Sequence, residues 1–276
     1  MTASLPVSRF WRDDALPHLE LRSVRDGRQV CHARHAHETF SVGLVTGGRS
    51  SYLNGTSRQH IGAGTLVLMN PGDVHACNPL GDRPWAYHML YVDAGWLGEL
   101  QQELDGGTGF RPFRAIRSDD AELRTGLSRL VATLTSEDRE PLARQGAAVE
   151  FFSQLHQRLQ PGPAFERPDN RRLARAAEYI AEQHARPLRL EDICREVGLS
   201  PAYLVRAFKA RYGMTPHAYL INRRVQVARA RLRQGRPIAD AALEAGFADQ
   251  AHLQRAFKQL LAATPGHYRR AQPSSR

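Results

Sequence analysis

Two stretches of this 276-residue chain repeat one another at an offset of 49 residues. They are LSPAYLVRAFKARYGMTPHAYL (199–220) and FADQAHLQRAFKQLLAATPGHYR (247–269). The offset maps Leu204 onto Leu253, Arg206 onto Arg255, Phe208 onto Phe257, Thr215-Pro216 onto Thr264-Pro265 and Tyr219 onto Tyr268. It also maps Lys209 onto Lys258, and these are the only lysines in the protein. Two units are too few for a solenoid, so the pattern predicts a duplicated subdomain.

Each unit reads as helix, tight turn, helix. In the first, LRLEDICREV runs into Gly198-Leu199-Ser200; in the second, PIADAALEA runs into Gly246-Phe247-Ala248. Glycine suits such a corner because the sharp turn needs a backbone conformation that is costly with a Cβ. This is the helix-turn-helix pattern, expected over 190–211 and 238–261. At 100° per residue, Leu204, Ala207, Phe208 and Arg211 share one side of the first unit's second helix. Ala202, Val205, Arg206 and Lys209 share the other. In the second unit Leu253, Ala256, Phe257 and Leu260 form the apolar side, while Ala251, Gln254, Arg255 and Lys258 lie opposite, with Gln250 at the N-terminal end. One side packs against the partner helix and the other is left for a major groove. There Arg206, Gln254 and Arg255 supply hydrogen bonds to base edges, Ala202 and Val205 give apolar contact, and Lys209 and Lys258 reach phosphate.

A helix expected over 216–234 joins the units and carries Arg223, Arg224, Arg229, Arg231 and Arg233. At ~1.5 Å per residue it is about 28 Å long, near the ~34 Å of one turn of B-DNA. Two recognition helices braced by it would address successive major grooves on one face of a duplex. Charge points the same way. The formal net charge is +10. Residues 169–276 hold 20 Lys and Arg against 9 Asp and Glu, and residues 1–168 hold 18 against 19. The whole excess therefore sits in the repeated half, as expected for a polyanion partner.

The front half has a different period. FSVGLVTGG (40–48), SSYLN (50–54), TLVLMN (65–70) and AYHMLYVD (86–93) are short β-type runs separated by turn residues, which predicts a sandwich or barrel. Helical spacing follows at 96–104, 119–135 and 141–160. PGPAFERP (161–168), with three prolines and a glycine, reads as a linker. The expected organisation is therefore a β-rich domain with trailing helices over 1–160, a linker over 161–168, and an all-α DNA-binding domain over 169–272.

Several classes are set aside. No apolar run approaches the ~20 residues of a membrane span, so no membrane partner is expected. The first residues lack a basic stretch followed by an apolar one, so no secretory signal is read. Cys31, Cys77 and Cys194 are few, odd in number and without a C-x-x-C, which fits a reducing cytoplasm. No nucleophile motif, P-loop or dinucleotide fingerprint appears, so neither an enzyme nor a cofactor is expected.

The repeated half resembles the AraC/XylS family of bacterial transcription regulators over about 171–271. The family's A-x-x-x-G-F-x-D-Q-x-H-L-x-R-x-F-K…P-x-x-Y-R signature stands at Ala242 to Arg269. The resemblance implies base contacts at Ala202, Val205 and Arg206 in the first unit, and at Gln250, Ala251, His252 and Arg255 in the second. The first unit departs from the pattern toward apolar residues, which implies weaker base reading there. More loosely, the front half is similar to the family's cupin-type sensor domain. That likeness implies a small-molecule effector in the barrel, dimerisation through the helices after it, and an activator that binds promoter DNA and works with RNA polymerase.

Cupin enzymes hold a metal with H-x-H, a nearby Glu and a later His. His35-Ala36-His37 and His75 echo this, and in an extended strand His35 and His37 would face one side. The expected Glu position falls on Ser41 or Val42, which do not ligate like a carboxylate. His35, His37 and His75 are therefore read as lining an effector pocket, with no metal. A metal-dependent cupin enzyme carrying a DNA-binding appendage is the alternative.

Overall fold

The computed structural model describes residues 8–28, 30–81, 84–162 and 170–270, and the chain divides into two compact units. Of the described residues, the second unit takes 32–36 and 170–270, and the first takes the rest. The linker expected at 161–168 lies outside the described residues from 163 onward.

The first unit is β-rich, as its alternating runs predict. Its strands are β1 (Ser8–Trp11), β2 (Leu19–Val24), β3 (Phe40–Gly47), β4 (Arg49–Asn54), β5 (Ser57–Gly62), β6 (Leu66–Met69), β7 (His75–Pro79), β8 (Ala86–Val92) and β9 (Arg117–Ser118). They form an antiparallel sheet of order β1-β2-β8-β3-β6-β9 and a second of order β5-β4-β7. Three helices follow or interrupt them: α1 (Ala94–Asp105), α2 (Ala121–Thr135) and α3 (Pro141–Leu159).

Because successive side chains alternate, register decides what each face of the large sheet meets. Leu19 and Leu21 of β2, Val92 and Leu90 of β8, and Phe40 and Val42 of β3 share one face. That face buries against Leu97, Leu123, Leu127, Phe151 and Phe152 of the helices. The other face carries Arg22, Glu20, Tyr91, Met89 and Ser41 toward the second sheet. The sheets are tied there by Tyr52, whose hydroxyl donates to the Leu68 carbonyl at 2.6 Å, and by Asn54, whose amide donates to the same oxygen at 3.2 Å. Two buried ion pairs complete the unit. Arg12 holds Glu20 at 2.7 Å, and Arg144 of α3 holds Asp13 at 2.6 Å.

The second unit is all-α: α4 (Arg171–Glu182), α5 (Leu190–Val197), α6 (Pro201–Tyr212), α7 (Pro216–Arg233), α8 (Ile238–Glu244), α9 (Gln250–Leu261) and α10 (Pro265–Arg269). Both repeats bury the same positions: Leu204 and Phe208 in the first, Leu253 and Phe257 in the second, all fully inaccessible. Thr215 and Thr264 cap α7 and α10, each taking a backbone N–H three residues on, with proline at the first helical position. The 18 residues of α7 span about 27 Å.

Two of the arginines on α7 point inward, although a charge count treats all five alike. The Arg224 guanidinium donates to the His184 carbonyl at 2.7 Å and to the Arg186 carbonyl at 2.9 Å. The Arg229 guanidinium donates to the Tyr268 hydroxyl at 2.8 Å and lies against that ring. One helix thus grips the end of α4 in the first repeat and α10 in the second. Each buried cation meets acceptors, as burial requires.

Candidate nucleic-acid interface

The two helix-turn-helix corners are built alike but held differently. Gly198 ends α5 in the left-handed region at φ 63°, and Leu199 N–H returns to the Cys194 carbonyl at 3.2 Å. Gly246 takes φ 86°, and a Cβ there would lie 2.5 Å from the His184 carbonyl oxygen. The second corner therefore packs directly onto the end of α4, and the first is open. Asp249 caps α9 by accepting from His252 N–H at 2.6 Å, while Ser200 makes no side-chain cap on α6.

On α6, Ala202, Arg206 and Lys209 are exposed and Val205 is half-buried. On α9, Gln250, Ala251, Gln254, Arg255 and Lys258 are exposed. His252 is half-buried, with its ring edge-on to Phe247 at 5.0 Å. Neither helix contains an acidic residue, so each outer face is purely cationic and neutral. Tyr203, 42% exposed, and Ala210 extend the strip around Arg206. The sequence reading passed over both, although Tyr203 lies one turn before Arg206 and the phase held the signal.

His37 and His75 meet edge-to-face at 4.7 Å, and Tyr91 lies 5.5 Å from His37. His37 Nδ1 donates to the Thr39 carbonyl at 2.8 Å, and His75 Nδ1 donates to the Asp73 carbonyl at 2.8 Å. In a neutral ring each bond selects the tautomer with its proton on Nδ1. Ser41 Oγ lies 3.4 Å from His37 Nε2, where a cupin metal site would need a carboxylate. Burial holds the His75 pKa below the ordinary imidazole value. It pushes the neighbouring Cys77 thiol up to about 12, so that thiol is not a nucleophile at neutral pH. The chain before Phe40 is no regular strand, and His35 stacks on His32 at 5.4 Å. Among the described residues, no three His, Cys, Asp or Glu side chains are grouped to hold a metal.

Comparison with known proteins places this arrangement. The AraC-like ligand binding domain matches residues 16–177, and a helix-turn-helix domain matches residues 193–271. The HTH-type transcriptional regulator YbfI of Bacillus subtilis is 28% identical over 248 residues, which span 86% of this chain and 87% of that protein. The HTH-type transcriptional activator RhaR of Klebsiella pneumoniae is 25% identical over 247 residues, with the same shares. Among solved structures, ToxT of Vibrio cholerae shares the fold at a TM-score of 0.57 and 14% identity, covering 91% of this chain and 97% of that one. The chain belongs to the AraC family: it is a two-domain, DNA-binding transcription regulator with a β-rich ligand-binding domain and a helical helix-turn-helix domain. The reading as a metal-dependent enzyme falls with that assignment. No helix among the described residues is long and apolar enough to cross a membrane.

Proposed function

We propose that this protein activates transcription by inserting α6 and α9 into successive major grooves of promoter DNA, under the control of a small-molecule effector held between the two sheets. The observation that carries the DNA half is the pair of acid-free outer faces with a cation at equivalent repeat positions: Arg206 with Lys209, and Arg255 with Lys258. In this reading Gln250, Ala251, Gln254 and Arg255 read bases, Ala202, Val205 and Arg206 read fewer, and Lys209 and Lys258 hold phosphates. His252 contributes from the start of α9. The buried His37–His75 pair, each ring held through Nδ1 by a backbone carbonyl, supports an effector site lined by His35, His37 and His75. Dimerisation through 119–160, contact with RNA polymerase and a cytoplasmic location complete the proposal. So does the division into an effector domain over 1–160, a linker over 161–168 and a DNA-binding domain over 169–272.

Binding to a promoter fragment, followed by fluorescence anisotropy across salt concentrations, tests the reading. The logarithm of affinity should fall linearly with the logarithm of salt, while preference over random DNA persists. Steep salt dependence without sequence preference would reduce the protein to a non-specific binder.

A further inference from the structure

We propose that the first unit carries a second small-molecule site, outside the barrel interior, that takes an organic carboxylate. It is a cleft of about 450 Å³ on the helix-facing side of the large sheet. That volume lies within the roughly 300–1,000 Å³ usual for small-ligand pockets.

The sheet's own register explains why the cleft exists. On this face the rows over Leu19, Leu21, Phe40, Val42, Leu90 and Val92 are apolar and packed by helices. One position further along, the row changes character. Arg9 of β1 pairs with Ser23 of β2, which pairs with His88 of β8. The helical layer covers Leu44 of β3, which continues the row beside His88, but does not fill over its polar part. Arg25, Thr46 and Ala86 extend the floor, and Val131 and Thr135 of α2 form the far wall.

Three features specify the ligand. Arg9 and Arg25 both open onto the cleft, and neither has an ion-pair partner among the described residues. The nearest acid in sequence, Asp26, is held by Arg28. No acidic side chain lines the cleft. The last turn of α2 brings carbonyl dipoles worth roughly half a negative charge, which offsets only part of two guanidiniums. Arginine favours carboxylates because its planar fork makes paired, charge-assisted bonds. Next, Ser23 Oγ lies 2.8 Å from His88 Nδ1. With Ser23 as donor, His88 presents Nε2–H to the cleft, a third donor for an anion. Finally, most of the wall is apolar, Val131 and Ala86 included, which suits an organic body over a bare inorganic ion.

Burial lowers the His88 pKa. The groups facing that ring are Arg9 from β1, Ser23 and Arg25 from the β2 end, Thr46 from β3, and Val131 and Thr135 from α2. None carries a negative charge, so a bound carboxylate would be the anion in contact with it. Occupancy must then raise the His88 pKa.

The test uses the full-length protein and benzoate at constant ionic strength, read by NMR of the histidine side chains. Benzoate should shift the His88 signals saturably and raise its pKa, while benzamide, of the same shape without charge, should not bind. Arg9→Gln and Arg25→Gln remove exposed charges without touching the core, and each should weaken benzoate about tenfold or more. Their circular dichroism and DNA binding report that they remain folded. Benzoate binding unaffected by either variant would overturn the proposal, as would failure to saturate in the millimolar range. Loss of the benzoate effect in His75→Ala with Arg9 and Arg25 intact would move the ligand to the barrel and overturn it too. Inorganic phosphate binding as tightly as benzoate would refute the role of the apolar wall.

Discussion

The two recognition helices are copies with different equipment. α6 presents Ala202, Tyr203, Arg206 and Lys209 on its outer face, and α9 presents Gln250, Ala251, Gln254, Arg255 and Lys258. Amide side chains read adenine by paired hydrogen bonds, and α9 exposes three, Gln250, Gln254 and Gln259, where α6 has none. The supports differ in the same direction. The α9 end has a side-chain cap at Asp249 and a corner pressed onto α4, whereas α6 has an uncapped Ser200 and an open corner. Duplication kept the core and a lysine at the same exposed position in both copies. It left the amide side chains and the firmer supports in the second, which in the proposed function makes one precise reader and one adaptable one.

The largest expected effect asks whether the cores are truly equivalent. Phe208→Ala and Phe257→Ala each empty a fully buried site, and each should lower unfolding free energy by about 3–5 kcal/mol in urea denaturation. A loss confined to one of them would break the symmetry of the cores. The corners come next. Gly198→Ala meets only the left-handed backbone penalty of ~1–2 kcal/mol, because no atom lies within 4 Å of its Cβ. Gly246→Ala meets that penalty and a backbone clash, so it should be the more destabilising by at least ~1 kcal/mol. Equal melting temperatures would show that the second corner yields.

Base reading should be less costly to remove and more selective. Arg255→Ala should weaken operator binding by ~1–3 kcal/mol, with the loss tied to particular base pairs in a set of substituted operators. Arg206→Ala should cost less and depend little on sequence; a base-specific loss as large as that of Arg255→Ala would erase the proposed difference. The smallest effect tests what the copies share. Lys209→Ala and Lys258→Ala should each weaken every DNA alike and lower the salt slope by about 1. An unchanged slope in either would remove that lysine from the phosphate contacts.

Much of this was legible in the residues. In the second unit α5 ends directly before Gly198, α8 ends two residues before Gly246, and α7 and α10 begin at the prolines of the two Thr-Pro pairs, because caps and breakers act locally. The runs at 40–48, 50–54, 65–70 and 86–93 are β3, β4, β6 and β8. β1, β2, β5, β7 and β9 do not stand out as runs in the same way. In β2 Leu19-Glu20-Leu21-Arg22 does alternate, but Glu20 and Arg22 are buried too, and the pattern carries no sign that both faces are covered. SRQHIG and HACNP are short and polar, and they pair only because β4 runs between them.

The sequence by itself determined the duplicated helix-turn-helix, its buried phenylalanines and its cationic outer faces. Each follows from periodicity over a dozen residues, and periodicity is a short-range property. Only the tertiary structure decided which charges and imidazoles meet. Arg224 and Arg229 are buried because carbonyls and a hydroxyl some 40 residues away accept their hydrogen bonds. His37 meets His75 at 4.7 Å although the two are far apart in the chain. Burial of a polar group is settled by partners distant in the chain, and spacing along the chain carries no record of them.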